Sequence, residues 1–207
     1  MAIVQLGTTL RRGGLLIHLL IGISIESIGY NQLAHLRQNL SPEKARRVVA
    51  GLQRALAEHE DTDAIEARDL YFMFQAYGWR TRLERALDEM TENPFTKPYV
   101  QSAANHSKAV NLLLQADLAI RSYRSDASRL PAELSQLTPD YLPTPPVDPY
   151  SNQPLRYHAT DTDFVLYSVG WDGRDDGGAF TDAETYRAAR DVGKPGFDLR
   201  LDDEDAS

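Results

Sequence analysis

The chain contains no cysteine among its 207 residues. This absence excludes disulfides, thiolate nucleophiles, zinc–thiolate sites and iron–sulfur clusters, and it leaves the redox compartment undetermined. A basic excess is also missing, because 22 Lys and Arg stand against 30 Asp and Glu, for a net charge of −8. Nucleic-acid binding depends on clustered Lys and Arg and on the counterions that they release. We therefore expect no nucleic acid among the partners.

Long hydrophobic runs are scarce. The most apolar segment, LLIHLLIGISI at residues 15–25, is shorter than the roughly 20 apolar residues that span a bilayer. We therefore expect membrane attachment only through an upstream anchor that this chain lacks. Apolar residues at helical spacing predict instead a buried amphipathic helix over residues 14–38; they include Leu16, Leu19, Leu20 and Ile23.

Catalytic motifs are missing too. The histidines at 18, 35, 59, 106 and 158 form no H-x-x-x-H or H-E-x-x-H pattern, and the chain has no G-x-S-x-G, Walker or dinucleotide-binding motif. We therefore expect no enzymatic activity. One pair remains open: His18 and Glu26 lie about two helical turns apart and predict a hydrogen-bonded core pair. The alternative is a hydrolase, which would need a solvent-filled cleft around both side chains.

Further helices are predicted before residue 100. Ser41 and Pro42 begin the next one, since Ser is a favoured N-cap and Pro suits the first helical position. A long pattern follows over 64–90, with a kink at Gly78 and with aromatic side chains expected to pack into the core. Those aromatics are Tyr71, Phe72, Phe74, Tyr77 and Trp79.

A proline pair in TENPFTKPYV marks a boundary near residues 91–100, so the sequence predicts a helical domain over 1–100 and a second unit over 101–207. Four antiparallel helices, the last over residues 102–123, resemble an array of tetratricopeptide repeats. This resemblance implies an alternative function, a soluble helical scaffold that binds a peptide or protein partner.

The character of the sequence changes after Tyr123. Prolines limit residues 129–154 to short elements, and then PLRYHA and DFVLYSVG flank a TDTD turn, which predicts a β-hairpin. The acidic tail either adds a strand through FDLRL or is disordered. The predicted fold class is α+β: an N-terminal antiparallel helical bundle or array, then one long helix with a small antiparallel sheet.

Five pieces of residues 107–182 occur in the order found in a known family: a helix ending YRSDASRLP, the turn AELSQL, DPYSNQPLRY, DFVLYSVG and WDGRDDGG. This region resembles the globular domain of the major, G-type pseudopilins of type II secretion. Similar modules also end other bacterial proteins in which a helical region precedes the match. The matching residues are Asp148, Pro149, Pro154, Tyr157, Tyr167, Ser168, Gly170, Asp172, Gly173, Gly177 and Gly178.

The resemblance implies a structural or assembly protein at the extracytoplasmic face of the bacterial envelope. Its partners would be proteins, such as pseudopilin-like or other envelope assembly components. The resemblance also implies a structural Ca²⁺ ion in the loop after the second strand, held by carboxylates and carbonyl oxygens. Asp172 is the ligand that carries over directly, and Ser168 and Val169 stand where the family supplies strand-end oxygens.

Three further aspartates are calcium candidates by composition alone: Asp175, Asp176 and Asp182. Short aspartates on a glycine-rich loop suit the six to eight oxygens that calcium prefers, whereas an EF-hand does not fit, since Arg174 and Ala183 would occupy ligand positions. The alternative is a plain hairpin turn, because Asp-Gly is a strong turn signal and aspartates also solvate exposed loops. Both interpretations stay open at this point.

Overall fold

The computed structural model describes residues 1–78, 97–160, 162–178 and 198–201. Within these ranges the chain is mostly helical with one small antiparallel sheet, which confirms the mixed α+β class in its coarse form. The α-helices are α1 (Ala2–Arg11), α2 (Leu16–Leu36), α3 (Pro42–Ala57), α4 (Thr62–Tyr77) and α5 (Lys97–Ala127), and the strands are β1 (Arg156–Ala159) and β2 (Phe164–Tyr167). Short 3-10 helices cover Arg37–Asn39 and Leu134–Leu137.

Helices α1 and α2 form a closely packed antiparallel hairpin. Val4 lies against Gly29, Gly7 lies against the backbone of Gly22, and a Cβ on any of these glycines would approach a neighbouring atom to 2.7 Å or less. Glycine is therefore required for the close approach of the two backbones. The helix predicted over 14–38 is confirmed by α2. Among the described residues, no helix is both long enough and apolar enough to cross a membrane.

Helix α3 begins as its sequence predicts, with Ser41 at the N-cap and Pro42 at the first turn. Helix α4 differs from its prediction. It ends at Tyr77, and Gly78 has a φ of 72° and donates its N–H to the Phe74 carbonyl at 2.9 Å. A glycine with positive φ terminates a helix readily, so the predicted kink at Gly78 is wrong. The rest of the predicted 64–90 helix, including Trp79, lies outside the described residues.

The prediction that the aromatic residues of α4 pack into the core is also wrong. Their exposed fractions are 65% for Tyr71, 52% for Phe72, 39% for Phe74 and 68% for Tyr77. Helical spacing shows which side chains share a face, but it does not show which face meets a neighbouring helix. In α4 the buried face contains Ile65, which packs with Leu19 and Ile23 of α2.

Helix α5 is the long central helix of the protein. The hydrogen bonds Ser107–Glu26 and Asn111–Tyr30 both join residues 81 positions apart, so α5 runs parallel to α2. It also packs against α3. Its fully buried residues include Leu113, Leu114, Leu118 and Ile120.

The β-hairpin packs on the C-terminal half of α5. Strands β1 and β2 pair antiparallel in a register that sets Arg156 opposite Tyr167 and Ala159 opposite Phe164, which confirms the predicted hairpin. Beyond β2, Ser168 forms an isolated bridge with Leu199, so the FDLRL segment reaches the sheet. One core cluster contains Ala45 and Val49 of α3, residues of α5, Leu155 just before β1, and Leu166 of β2. The predicted division near residue 100 stays a prediction.

Candidate functional site: an acidic loop held by two buried aspartates

Asp148 holds the end of β2 in place. Its side chain is fully buried, and Oδ1 accepts hydrogen bonds from Ser168 Oγ and the Tyr150 N–H, both at 2.9 Å. Oδ2 accepts from the Val169 N–H at 2.9 Å. The Asp148 backbone closes its own turn, because its N–H donates to the Gln153 carbonyl and its carbonyl accepts from Asn152. Three donors satisfy this buried carboxylate, so it fastens the DPYSNQP turn to the sheet.

Ser168 and Val169, the two predicted strand-end calcium ligands, are buried within this arrangement. The Ser168 hydroxyl donates to Asp148, its N–H donates to the Leu199 carbonyl at 3.0 Å, and its carbonyl accepts from the Leu199 N–H at 2.8 Å. The backbone N–H and carbonyl of Ser168 are thus used in the pairing with Leu199, and its hydroxyl is used in the bond to Asp148. Val169 gives its N–H to Asp148.

Asp175 anchors the outer part of the loop. Its Oδ1 accepts from the Tyr167 hydroxyl at 2.9 Å and from the Gly177 N–H at 3.0 Å. Its Oδ2 lies 3.0 Å from Arg156 Nε, in an ion pair that lacks directed hydrogen-bond geometry. The Gly177 N–H, the Tyr167 hydroxyl and the Arg156 charge outweigh partial burial and hold the Asp175 pKa below its usual value. Burial and the neighbouring Asp175 raise the pKa of Tyr167 to about 12.

Asp198 supports the loop through the loop backbone, and the sequence did not identify it as a candidate residue. Only 2% of the residue is exposed, and its Oδ2 accepts from the N–H groups of Asp176 at 3.1 Å and Gly178 at 2.7 Å. Its Oδ1 is buried, and no group among the described residues donates to it. Burial, with the nearby charges of Asp175 and Asp176, raises the Asp198 pKa despite these two hydrogen bonds. The sequence signal that could have identified Asp198 was its position in the FDLRL segment. No local pattern, however, links this segment to a loop some twenty residues earlier.

The remaining candidate ligands are spread along the loop. Asp172 accepts from the Arg174 N–H through Oδ1 at 3.1 Å, which is an Asx turn. Asp176 is exposed, and Asp182 lies outside the described residues. Among the residues that the structure describes, no three His, Cys, Asp or Glu side chains are grouped so that they could hold a metal ion. The loop therefore brings Asp175, Asp176 and Asp198 near one another without a complete set of ligands.

A second buried polar cluster joins the helices around Glu26, which is fully enclosed. Its Oε1 accepts from Thr8 Oγ1 at 3.0 Å and lies 3.0 Å from His59 Nε2, and its Oε2 accepts from Arg11 at 2.6 Å and Ser107 Oγ at 3.0 Å. Burial alone would raise the Glu26 pKa. The hydrogen bond and charge of His59, the Arg11 charge and the Thr8 hydroxyl overcome it and hold the pKa below its usual value.

The predicted pairing of His18 with Glu26 is wrong. His18 Nδ1 accepts the N–H of Leu15 at 3.1 Å, at the start of α2. The histidine that meets Glu26 is His59, which the short connection after α3 supplies. Two residues eight positions apart in a helix share a face only broadly, and the glycine-mediated approach of α1 leaves room at Glu26 for Arg11 instead.

An open groove of about 380 Å³ lies beside β1. Pro145, the residues 132–135 around the second 3-10 helix, and the residues 154–157 at the start of β1 line it. The groove belongs to the C-terminal part of the chain and not to the helical array. It therefore does not provide the polar groove between helices that a peptide-binding scaffold would need.

Comparison of the chain with protein-family models, with curated proteins and with solved structures found no match.

Proposed function

We propose that this chain is a non-catalytic structural or assembly protein of the bacterial envelope, whose pseudopilin-like C-terminal module docks on protein partners through an acidic loop that calcium stiffens. The motifs of residues 107–182 support the family likeness. The single observation that carries the proposal is Asp198, a buried carboxylate that holds the loop backbone through Oδ2 while Oδ1 has no partner among the described residues.

The calcium part of the proposal follows from the cost of a buried carboxylate oxygen without a donor. Such a group destabilises the fold by about 1–3 kcal/mol or more. Burial, and after it the nearby charges of Asp175 and Asp176, raise the Asp198 pKa, and these two charges also repel the buried carboxylate. A divalent cation removes both costs, and carboxylates are the ligands that Ca²⁺ prefers. The residues that would hold it are Asp198 and Asp176, with Asp172 and Asp182 as the further carboxylates of the sequence.

The absence of catalysis is supported by the chemistry of Glu26. Its two oxygens meet four protein groups, and the residue is fully enclosed, so no substrate atom could reach it without displacing packed side chains. A general base must lie within hydrogen-bond reach of a substrate proton. The cluster thus acts as a support that joins α1, α2 and α5.

Thermal unfolding with calcium and with a chelator tests the stiffened loop. A ligand that binds only the native state raises its stability by mass action, so millimolar Ca²⁺ should raise the melting temperature. Asp198→Asn should abolish this increase, and Asp140→Asn, which removes an exposed aspartate elsewhere, should retain it. The calcium proposal fails if the wild-type protein shows no shift, or if Asp198→Asn keeps the whole shift.

Cell fractionation tests the assembly role independently of calcium. An epitope-tagged chain in its source cells should be recovered with the envelope, and protease added from outside the cytoplasm should degrade it. Recovery in the cytosol with full protection from protease would contradict the envelope role and leave the calcium result standing. A calcium shift without envelope recovery would thus separate the two parts of the proposal.

A further inference from the structure

The first 36 residues carry very little charge. Arg11, Arg12 and Glu26 are the only Asp, Glu, Lys or Arg residues among them, although a quarter of the whole chain is charged. Arg11 and Glu26 pair with each other in the interior, with side chains 5% and 0% exposed. Arg12, in the turn between α1 and α2, is the one charged side chain of this segment that reaches solvent. Apart from Arg12 in the turn, the outside of the hairpin therefore carries no Asp, Glu, Lys or Arg side chain.

That outside surface, here called the outer face, is apolar. Its large aliphatic residues are each between 42% and 57% exposed. Within α2, Ile17, Ile21 and Ile28 lie in one row whose positions alternate by four and three residues, and Leu36 lies one residue past a later position of that row. The row also contains Ser24 and Asn31, both exposed. The outer face consists of Ile3 and Leu6 of α1 and of Ile17, Ile21, Ile28 and Leu36 of α2.

The outer face cannot turn inward, because the inner sides of both helices are already occupied. Gly7, Gly22 and Gly29 bring the two backbones together, and Glu26 points to the opposite side into its polar cluster. Cγ2 of Ile3 lies 3.5 Å from the point where a Cβ on Gly29 would stand, so Ile3 of α1 adjoins α2. The two helices thus present one continuous apolar surface.

We propose that the outer face is the interface between two copies of this chain, packed helix to helix. A row with an average spacing of 3.5 residues suits such packing, and small or polar residues within the row fix its register. Six half-exposed aliphatic side chains leave about 500 Å² of apolar surface on each copy, and two copies then bury about 1,000 Å², the lower limit for a specific interface. This inference does not depend on the proposed envelope role.

Charge distinguishes a second copy from the other candidate occupants. The chain has a net charge of −8, so two copies repel over most surfaces, and a neutral face is where they approach at least cost. A lipid surface is recognised through Lys and Arg around an apolar face. Beside the outer face the hairpin offers only Arg12, in the turn between α1 and α2, which makes lipid the weaker fit.

Sedimentation equilibrium over micromolar to sub-millimolar concentrations tests the interface. Wild-type protein should dimerise, and Ile21→Glu and Ile28→Glu should each weaken dimerisation by at least about tenfold, since each buries a carboxylate without a partner. Val147→Glu is the matched control, because Val147 is 48% exposed on the C-terminal part of the chain. It adds the same charge and should leave the dimer intact. Circular dichroism checks that all variants keep wild-type helicity.

A cysteine cross-link tests the same surface without disturbing the apolar row. The chain has no cysteine, so Ser24→Cys gives each copy a single thiol in the middle of the row. Mild oxidation should convert it to a covalent dimer, whereas Val147→Cys should form no covalent cross-link. The inference is overturned if the wild-type protein is monomeric throughout, if both glutamate variants dimerise as wild type does, or if the monomer instead co-sediments with phosphatidylcholine vesicles.

Discussion

Replacing Glu26 by Gln should destabilise the protein strongly. The substitution keeps the shape of the side chain but removes the charge that faces Arg11, whose side chain is only 5% exposed, and it turns an NH₂ group towards donors. Loss of one partner from a buried ion pair costs about 3–5 kcal/mol. At roughly 2–4 °C per kcal/mol for a chain of this size, the melting temperature should fall by about 10 °C.

Urea unfolding followed by circular dichroism measures this loss. The matched control is Glu60→Gln, which breaks the Glu60–Arg68 pair at 2.8 Å, where the side chains are 28% and 37% exposed. Because water screens that pair, its loss should cost at most about 1 kcal/mol. If Glu26→Gln costs no more than Glu60→Gln, the assignment of the buried cluster as a principal support of the helices is refuted.

The pH dependence of the Glu26→Gln effect provides a second check. The Glu26 pKa is held below its usual value in the folded state, so its contribution to stability is present above the unfolded pKa of about 4.3 and is lost as the pH falls through the folded pKa. The difference in unfolding free energy between wild type and Glu26→Gln should therefore be largest near neutral pH. It should shrink in acid, and a constant difference from pH 7 to pH 3 would contradict the argument.

Two further substitutions test the support of the acidic loop. Gly178→Ala should lower the free energy of unfolding by about 2–3 kcal/mol, because φ is 80° and the new Cβ would lie 3.2 Å from Tyr167 and Val165. Gly173→Ala, at φ 68° in open space, should lower it by about 1 kcal/mol. Equal losses would contradict this. Asp148→Asn should lower the free energy of unfolding, measured in guanidinium, by about 1–3 kcal/mol, since its amide would face a buried donor. A loss under about 0.5 kcal/mol would refute the role of Asp148 in fastening its turn to the sheet.

The sequence predicted the elements of this fold better than it predicted their contacts. Local spacing identifies α2 and the N-terminus of α3, and β-branched and aromatic residues identify the hairpin, because these signals act over a few residues. The partner of Glu26 is His59, and the α4 aromatics are exposed, because such contacts depend on how helices pack in three dimensions. The same reason applies to the acidic loop. The sequence shows its aspartates, but it does not show that Asp148 and Asp198 hold the loop and the end of β2 in place.

The support of the loop by Asp198 has a consequence for the order in which the chain can acquire its shape. Asp198 accepts the N–H of Asp176, which is 22 positions earlier, and Leu199 completes the pairing of Ser168. A nascent chain whose first 178 residues have left the ribosome still lacks both partners. The acidic loop can therefore take its final shape only after residues 198 and 199 have left the ribosome, and a premature stop before residue 198 would leave the helices able to pack but the loop without these bonds.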